Sequence, residues 1–480
     1  MPNSPSEPAD ASDASGDSCI RDLAIVGAGP AGLSAAVTAA RLGLTVTLLD
    51  SGPRPGGQIW RRPAPELRAR PPVQLVLRAE HHGLVRHLPR HHVWSAVRQE
   101  PDLWTVHAVT GDDGDDGDGD GERPVRITAR ALLLATGAHE RHLPFPGWTL
   151  PGVVGAGGAQ AMLKSDLVLP GRRVAVAGSG PLLLAVASSL AAAGARVPAV
   201  VEASGYLGYA RRPRALAADP RKLAEGAAHA AALLRHRVRL LTRSAVTAAH
   251  GTRRVEAVTV TRLGPDWRPL NGTSRRIRCD ALAVGHGLVP QTDLATTLGC
   301  ATRRTADGSF ALLLDDDLET TVRGVWAAGE SAGIGGERVA LAEGELAARA
   351  IARRLRHVAT VTPALRRRRA RLRAFADAMT AVHAPGPGWT GWLTDATEVC
   401  RCEEVTAGRI REAVRDLGAR DARTVKLLTR AGMGWCQGRT CGQAVARLAA
   451  PDGLPTAPER RPLAVPVTLG TLAALDDGAP

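Results

Sequence analysis

The chain has 480 residues, enough for two or three separately cored domains, with an ordinary apolar share of 44% and aromatics at only 3%. Its formal charge of +14 rests almost wholly on arginine, since Lys164, Lys222 and Lys426 are the only lysines. With no helix-turn-helix, zinc-finger or RNA-binding signature alongside, that charge suits acidic partners or dinucleotide phosphates and does not imply nucleic acid.

Residues 1–20 are rich in Ser, Asp, Pro and Ala and read as a disordered tail. Met1–Cys19 has neither a cationic start nor an apolar core, so it is not a signal peptide. No apolar run reaches the roughly 18–20 residues needed to cross a bilayer. Seven cysteines, four of them clustered late, fit a reducing interior, and a cytoplasmic location is expected.

Order is expected from Asp22, with a β-type run to Val26 followed by Gly27-Ala-Gly29-Pro30-Ala31-Gly32 and a small-residue helix. A second strand, Thr45–Leu49, ends on Asp50 and Ser51. In this context Gly27 permits a tight turn, Gly29 lets backbone approach a pyrophosphate, and Gly32 lets helix pack on strand. Asp50, 18 residues past Gly32, stands where a carboxylate accepts from ribose hydroxyls. The acidic run 111–122 superficially matches the start of a calcium loop. Ile127 stands where a bidentate glutamate is required, so a solvated hairpin loop is expected.

A second β-turn-α-β unit spans Arg172–Glu202, with the turn Gly178-Ser-Gly180-Pro-Leu-Leu183. Leu183 replaces the third glycine, which weakens a pyrophosphate site, whereas Glu202 stands 19 residues on as a ribose acceptor would. NAD(H) at this second unit stays open. Between and after the two units lie Leu132-Leu-Leu-Ala135-Thr136-Gly137 and Gly324-Val-Trp-Ala-Ala-Gly329-Glu330. Together with the first loop they resemble the three FAD fingerprints of the glutathione reductase superfamily. That resemblance implies FAD held by the first loop and the two later turns, with Pro55-Gly-Gly57-Gln58 along the isoalloxazine. The late motif there ends in Asp, so Glu330 departs from the pattern by one methylene. No C-x-x-C or C-x4-C pair precedes residue 400, which excludes dithiol chemistry beside the flavin at the usual position. Cys279 and Cys300 read as buried apolar residues. His139-Glu-Arg141 reads as a connecting loop, although it could approach the flavin, and Arg366–Arg369 as a solvated or subunit-facing helix surface.

Past the linker Pro385–Gly388, Cys400-Arg-Cys402 and Cys436-x4-Cys441 supply four thiolates, which saturate a [2Fe-2S] cluster at two per iron. The rival is structural zinc, whose modules favour C-x2-4-C knuckles. Cys400-Arg-Cys-Glu-Glu404 and Thr429–Gly442 resemble a bacterioferritin-associated-ferredoxin-like (BFD-like) [2Fe-2S] domain. More closely, they resemble the form fused to the FAD subunits of opine oxidase, hydrogen cyanide synthase and heteromeric proline, hydroxyproline or sarcosine-type dehydrogenases. Gly333-Ile-Gly-Gly336 and Pro466-Val-Thr-Leu-Gly470 fit the same family.

The resemblance implies an α/β fold of two Rossmann-type dinucleotide-binding domains plus a small, mainly helical [2Fe-2S] domain. Its expected layout is FAD domain 21–150 and 296–360, NAD(P)-binding-like domain 151–295, helical linker 361–395, cluster domain 396–450 and tail 451–480. It implies an electron-relay subunit of an amino-acid or opine (amine) dehydrogenase, partnered by a second FAD-containing amine-oxidising subunit and a small ferredoxin-like subunit. The alternatives are a self-sufficient NAD(P)H-dependent reductase that passes electrons to a partner, and a non-catalytic scaffold.

Overall fold

The computed structural model describes residues 19–61, 71–110, 122–450, 457 and 460–473. The expected tail lies outside the described residues up to 18, as does the acidic run over 111–121.

β1 (Arg21–Val26), β2 (Val46–Leu49) and β3 (Val85–Leu88) pair in parallel, Leu23 opposite Val46 and Val46 opposite Val85. Leu23–Val26 of β1 and all four residues of β2 are buried, as strands covered on both sides require, whereas β3, at the sheet edge, exposes Arg86. β4 (His91–Glu100), β5 (Leu103–Thr110) and β6 (Arg123–Leu134) form an antiparallel ribbon, and β6 returns parallel to β1. The order is β3-β2-β1-β6-β5-β4, with the late strand Val325–Ala327 parallel to β6. Strand order therefore reverses between β1 and β6, the crevice where open α/β sheets take ligands.

Helix Pro30–Arg41 lies on this sheet and against helix Glu337–Arg356. Their approach is close enough that a Cβ on Gly344 would sit 2.1 Å from the Ala31 carbonyl oxygen.

Two short strands, β7 (Ala138–Glu140) and a later partner, cross between the halves of the molecule. β8 (Val153–Gly155), β9 (Val174–Gly178), β10 (Ala199–Glu202) and β11 (Arg239–Thr242) enter a second parallel sheet. β12 (Ser244–His250), β13 (Ala257–Arg262) and β14 (Arg275–Arg278) form an antiparallel layer beside it. β15 (Ala281–Gly285) completes the order β11-β10-β9-β15-β8, and β16 (Leu288–Pro290) is the partner of β7. The expected two Rossmann units are thus both present.

Helix Pro363–Val382 is only partly the solvated surface that its arginines suggested. Arg366 pairs with Asp317, Arg369 with Glu343, and Arg373 is buried. Helices Ala407–Arg415, Ala422–Thr429 and Gly442–Ala449 build the C-terminal module. Its core is continuous with Leu143, Trp267, Trp389 and Trp392, so the module is docked on the body and not tethered.

Candidate functional site

The first loop sits at the carboxyl ends of β1, β2 and β6. Gly27 has φ of 108°, and a Cβ there would stand 2.3 Å from the Ala135 carbonyl oxygen, so no other residue fits. A Cβ on Gly32 would stand 1.9 Å from the Gly27 oxygen, the close helix–strand contact expected of the third glycine. Gly29 is different: nothing lies within 4 Å of its would-be Cβ. That open face, at the N-terminus of helix Pro30–Arg41, is where an anion can approach backbone.

Asp50 is only partly buried; its Oδ2 accepts from the Ala28 amide at 2.5 Å and its Oδ1 from the Gly52 amide at 2.6 Å. Gly57 overhangs the loop, its would-be Cβ 3.0 Å from Gly29 Cα, with Ser51 and Gln58 exposed at the rim. The Ala135-Thr136-Gly137 turn closes the opposite wall. Ala135 donates its amide to the Val26 carbonyl at 2.8 Å, and nothing lies within 4 Å of a would-be Cβ on Gly137. The cradle fits a dinucleotide: an unobstructed glycine face, a helix N-terminus and a reachable carboxylate.

The late turn is held by a buried network. Glu343, 0% exposed, accepts from the Gly329 amide (3.0 Å), Arg369 Nε (3.0 Å), Arg373 Nε (2.9 Å) and Arg373 Nη2 (2.8 Å). Arg373 also donates to the Gly329 and Gly333 carbonyls. The guanidiniums hold the Glu343 carboxyl below its ordinary value against burial, which pushes the other way. Glu330 does not reach openly into the crevice. Its oxygens accept from the Gly335 and Gly336 amides at 2.8 and 2.9 Å, capping helix Glu337–Arg356, and burial raises its pKa against those two bonds.

At the second loop, Gly178 and Gly180 occupy the expected places after β9, and Leu183 is packed in the core. Glu202, 1% exposed, accepts from the Gly180 amide at 3.0 Å and the Ser204 amide at 2.9 Å. Over it lie Tyr206 and Tyr209, the only tyrosines in the chain, stacked at 6.4 Å and both edge-on to His383. Tyr209 Oη shares a hydrogen bond of 2.9 Å with His383 Nε2, and Ser179 Oγ donates to the His383 carbonyl at 3.0 Å. Burial and then Glu202 raise both phenols, Tyr209 to about 12. The two loops are alike in backbone, each with an unobstructed glycine at Gly29 or Gly180, and differ at the carboxylate: Asp50 is partly exposed, whereas Glu202 is buried against Tyr206, Tyr209 and His383. Sequence reasoning missed this roof. Both tyrosines of a tyrosine-poor chain falling within seven residues of Glu202 was its one visible sign.

Cys400, Cys402, Cys436 and Cys441 are all free thiols and come together from the two motifs. They meet as cross-motif pairs. The Cys441 thiol donates to Cys400, whose pKa that bond lowers to about 5, while Cys441 is raised by the same bond. Cys436 is lowered against its burial by the Thr440 amide and hydroxyl and by the Cys402 thiol. Cys402, helped toward thiolate by the Cys436 amide, is nevertheless raised by burial and by the bond to Cys436.

Backbone amides aim at the sulfurs, the Gly432 amide reaching Cys400 Sγ at 3.4 Å. A Cβ on Gly434 would stand 2.3 Å from Cys402 Cβ. No group of three or more His, Cys, Asp and Glu side chains among the described residues is gathered as a single metal ion needs. Two cysteine pairs with amide donors, once deprotonated, fit a binuclear cluster, two sulfurs to each iron, better than the C-x2-4-C knuckles of a zinc site.

His139 and its neighbours lie at the seam between this module and the body. His139 faces Asp293, Arg439, His142 and Arg141, and burial lowers it to about 4. Trp148 Nε1 donates across the same seam to the Glu398 carbonyl at 2.7 Å.

Residues 21–353 match the pyridine nucleotide-disulphide oxidoreductase family model, and residues 398–450 match the BFD-like [2Fe-2S] binding domain. Hydrogen cyanide synthase subunit HcnB of Pseudomonas aeruginosa is 36% identical over 427 residues, covering 87% of this chain and 90% of that protein. An opine oxidase subunit from Agrobacterium tumefaciens is 34% identical over 449 residues, covering 89% and 85%. In fold the chain is similar to the crystal structure of L-proline dehydrogenase from P. horikoshii, with a TM-score of 0.67 at 21% identity, covering 95% of this chain and 79% of that one. No helix among the described residues is long and apolar enough to cross a membrane. The chain belongs to the pyridine nucleotide-disulphide oxidoreductase family, as an FAD-dependent oxidoreductase with a BFD-like [2Fe-2S] domain, related to subunits of multi-subunit oxidases and dehydrogenases.

Proposed function

We propose that this chain is the electron-relay subunit of a heteromeric amine dehydrogenase acting on an amino acid or opine. Gly27, Gly29, Pro30, Ala31, Gly32, Asp50, Ser51, Gly57, Gln58, Ala135, Thr136, Gly137, Gly329 and Glu330 hold or border FAD, and Cys400, Cys402, Cys436 and Cys441 hold the cluster. FAD exchanges electrons in pairs or singly and a [2Fe-2S] cluster takes them singly, which is the chemistry such a pair supplies when bound.

The chain's own groups do the rest. The glycine faces let backbone meet the pyrophosphate, and Asp50 accepts from ribose hydroxyls. The Glu343–Arg373 network keeps the late turn in one conformation. The sulfur-directed amides stabilise the negative charge of a thiolate cluster. Oxidation of the CH–NH group, with loss of two electrons and two protons, belongs to a second FAD-containing polypeptide. The assembly is completed by a small ferredoxin-like subunit. The names of the relatives, each one subunit of an oxidase or synthase, support a multi-subunit assembly.

One observation carries the choice over a self-sufficient NAD(P)H reductase: the roof of Tyr206, Tyr209 and His383 over Glu202. A nicotinamide dinucleotide entering by Gly178 and Gly180 would have to displace it before its ribose met the carboxylate. Anaerobic mixing of the purified protein with NADH tests the choice. The flavin is expected to stay yellow with NADH alone and to bleach when amine substrate and the amine-oxidising partner are added. Rapid bleaching by NADH alone would establish the reductase instead.

A further inference from the structure

A continuous bonded path joins the flavin-side turn to the cysteine module by way of Gln291 and Asp293, which neither cofactor motif contains. Thr136 Oγ1 donates to the Gln291 carbonyl at 2.8 Å, and the Gln291 amide donates to the Gly137 carbonyl at 3.0 Å. Two residues on, Asp293 opens the short helix Asp293–Thr297. Its Oδ2 accepts from Arg439 Nε at 3.2 Å and Nη2 at 3.1 Å. Arg439 lies inside the Cys436-x4-Cys441 loop, and its amide donates to the Cys436 carbonyl at 3.1 Å. Its Nη2 also donates to the Ala464 carbonyl at 2.8 Å.

Both charged side chains are about three-quarters buried, at 22% and 24% exposed, so the pair is screened less than a surface pair. The half-buried His139, its pKa lowered mainly by burial, faces both partners. Elsewhere the module is anchored independently, through the shared apolar core and the Trp148–Glu398 bond. The Asp293–Arg439 pair is therefore not needed to keep the module attached. What it specifically determines is the position of the Cys436–Cys441 loop relative to the Thr136–Gly137 turn.

We infer that Asp293 and Arg439 are positioning residues for electron passage between the flavin and the cluster, fixing the cysteine loop on the flavin-side turn. This rests on the relay function proposed above. Each passage oxidises the reduced flavin by one electron and reduces the cluster by one, and an external one-electron carrier reoxidises the cluster.

The test uses the full-length protein as purified, with Asp293→Asn, Arg439→Gln, the double variant and Arg439→Lys. Each should keep wild-type FAD and iron content and give the wild-type paramagnetic signal when the cluster is reduced directly by dithionite. After anaerobic photoreduction of the flavin, arrival of the electron at the cluster should slow several-fold in each single variant. The double variant should be no slower than the worse single, because both break one link. Arg439→Lys should recover part of the loss. Hydrogen exchange at residues 436–441 should quicken in the single variants, with or without iron.

Wild-type transfer rates in both single variants, or losses that multiply in the double, would overturn this inference alone. A wild-type protein whose flavin and cluster exchange no electrons would overturn the relay function and the inference with it.

Discussion

Replacing Glu343 with Gln removes one negative charge from a site without solvent and leaves the shape almost unchanged. The Arg373 guanidinium, 6% exposed, then keeps its bonds to the Gly329 and Gly333 carbonyls but loses its counter-ion, and Arg369 loses its partner. Breaking a buried pair by removing one member costs about 3–5 kcal/mol, because the remaining charge stays desolvated, and the lower end applies here because Glu330 and Asp377 still act on Arg373. The Gly329 amide also loses a carboxylate acceptor, a further bond worth about 1.5 kcal/mol or more if nothing replaces it.

The cost falls on the turn Gly329–Gly336, so FAD retention should fall together with stability. Urea unfolding of the FAD-loaded protein, followed by flavin release and far-ultraviolet dichroism, measures both. The double variant Glu343→Leu/Arg373→Met, which removes both charges and keeps an apolar filling, should recover most of the stability. A cost below about 1 kcal/mol for Glu343→Gln, the range of exposed pairs, or a double variant as unstable as the single, would refute the reasoning.

Gly29→Val should fold normally, since nothing lies within 4 Å of the new Cβ, yet purify with FAD content reduced about tenfold or more, because the branched side chain fills the open face; unchanged yellow colour would contradict that. Gly434→Ala should lose iron while keeping FAD, because its methyl would stand 2.3 Å from Cys402 Cβ; metal analysis reads the outcome. His139 is neutral when folded, with its pKa lowered from 6.5 to about 4, so unfolding takes up a proton between those values. Stability from this group is complete above pH 6.5 and is lost as pH falls toward 4, by about 3 kcal/mol. His139→Gln should therefore flatten the acid limb of a thermal-melt profile, and an unchanged limb would show that the imidazole is not buried in this way.

The fold was legible because its signals are local. Glycines at Gly27, Gly29 and Gly32 followed by a small-residue helix leave few alternatives, and the buried runs Leu23–Val26, Ala131–Leu134 and Val174–Gly178 carry only apolar residues. The fate of the carboxylates was less visible. Asp50 and Glu202 look equivalent by spacing, but what separates them is His383, 181 positions further on, together with two tyrosines in a turn that no glycine pattern predicts. Glu330 looked like a ligand-facing carboxylate by its place after Gly329, yet Gly335 and Gly336 offer it amides only once the chain has bent back. Arg366–Arg369 looked solvated because a run of like charge is usually a surface, whereas Asp317 and Glu343 come from distant segments. Asp293 carried no signal at all. Its partner Arg439 reads from the sequence only as a charge near the cluster, and the pairing with Asp293 shows once the cysteine module is docked on the turn after β6.

The central claim is that the four cysteines hold iron in electronic contact with the flavin, and one measurement addresses it directly. The purified protein is reduced at its flavin by light under anaerobic conditions and then examined by electron paramagnetic resonance, with iron and acid-labile sulfide determined on the same sample. The expected result is two irons and two sulfides per chain and a half-integer-spin cluster signal that grows as the flavin gives up its electrons. Zinc in place of iron, or a cluster that stays oxidised beside a fully reduced flavin, would contradict the account.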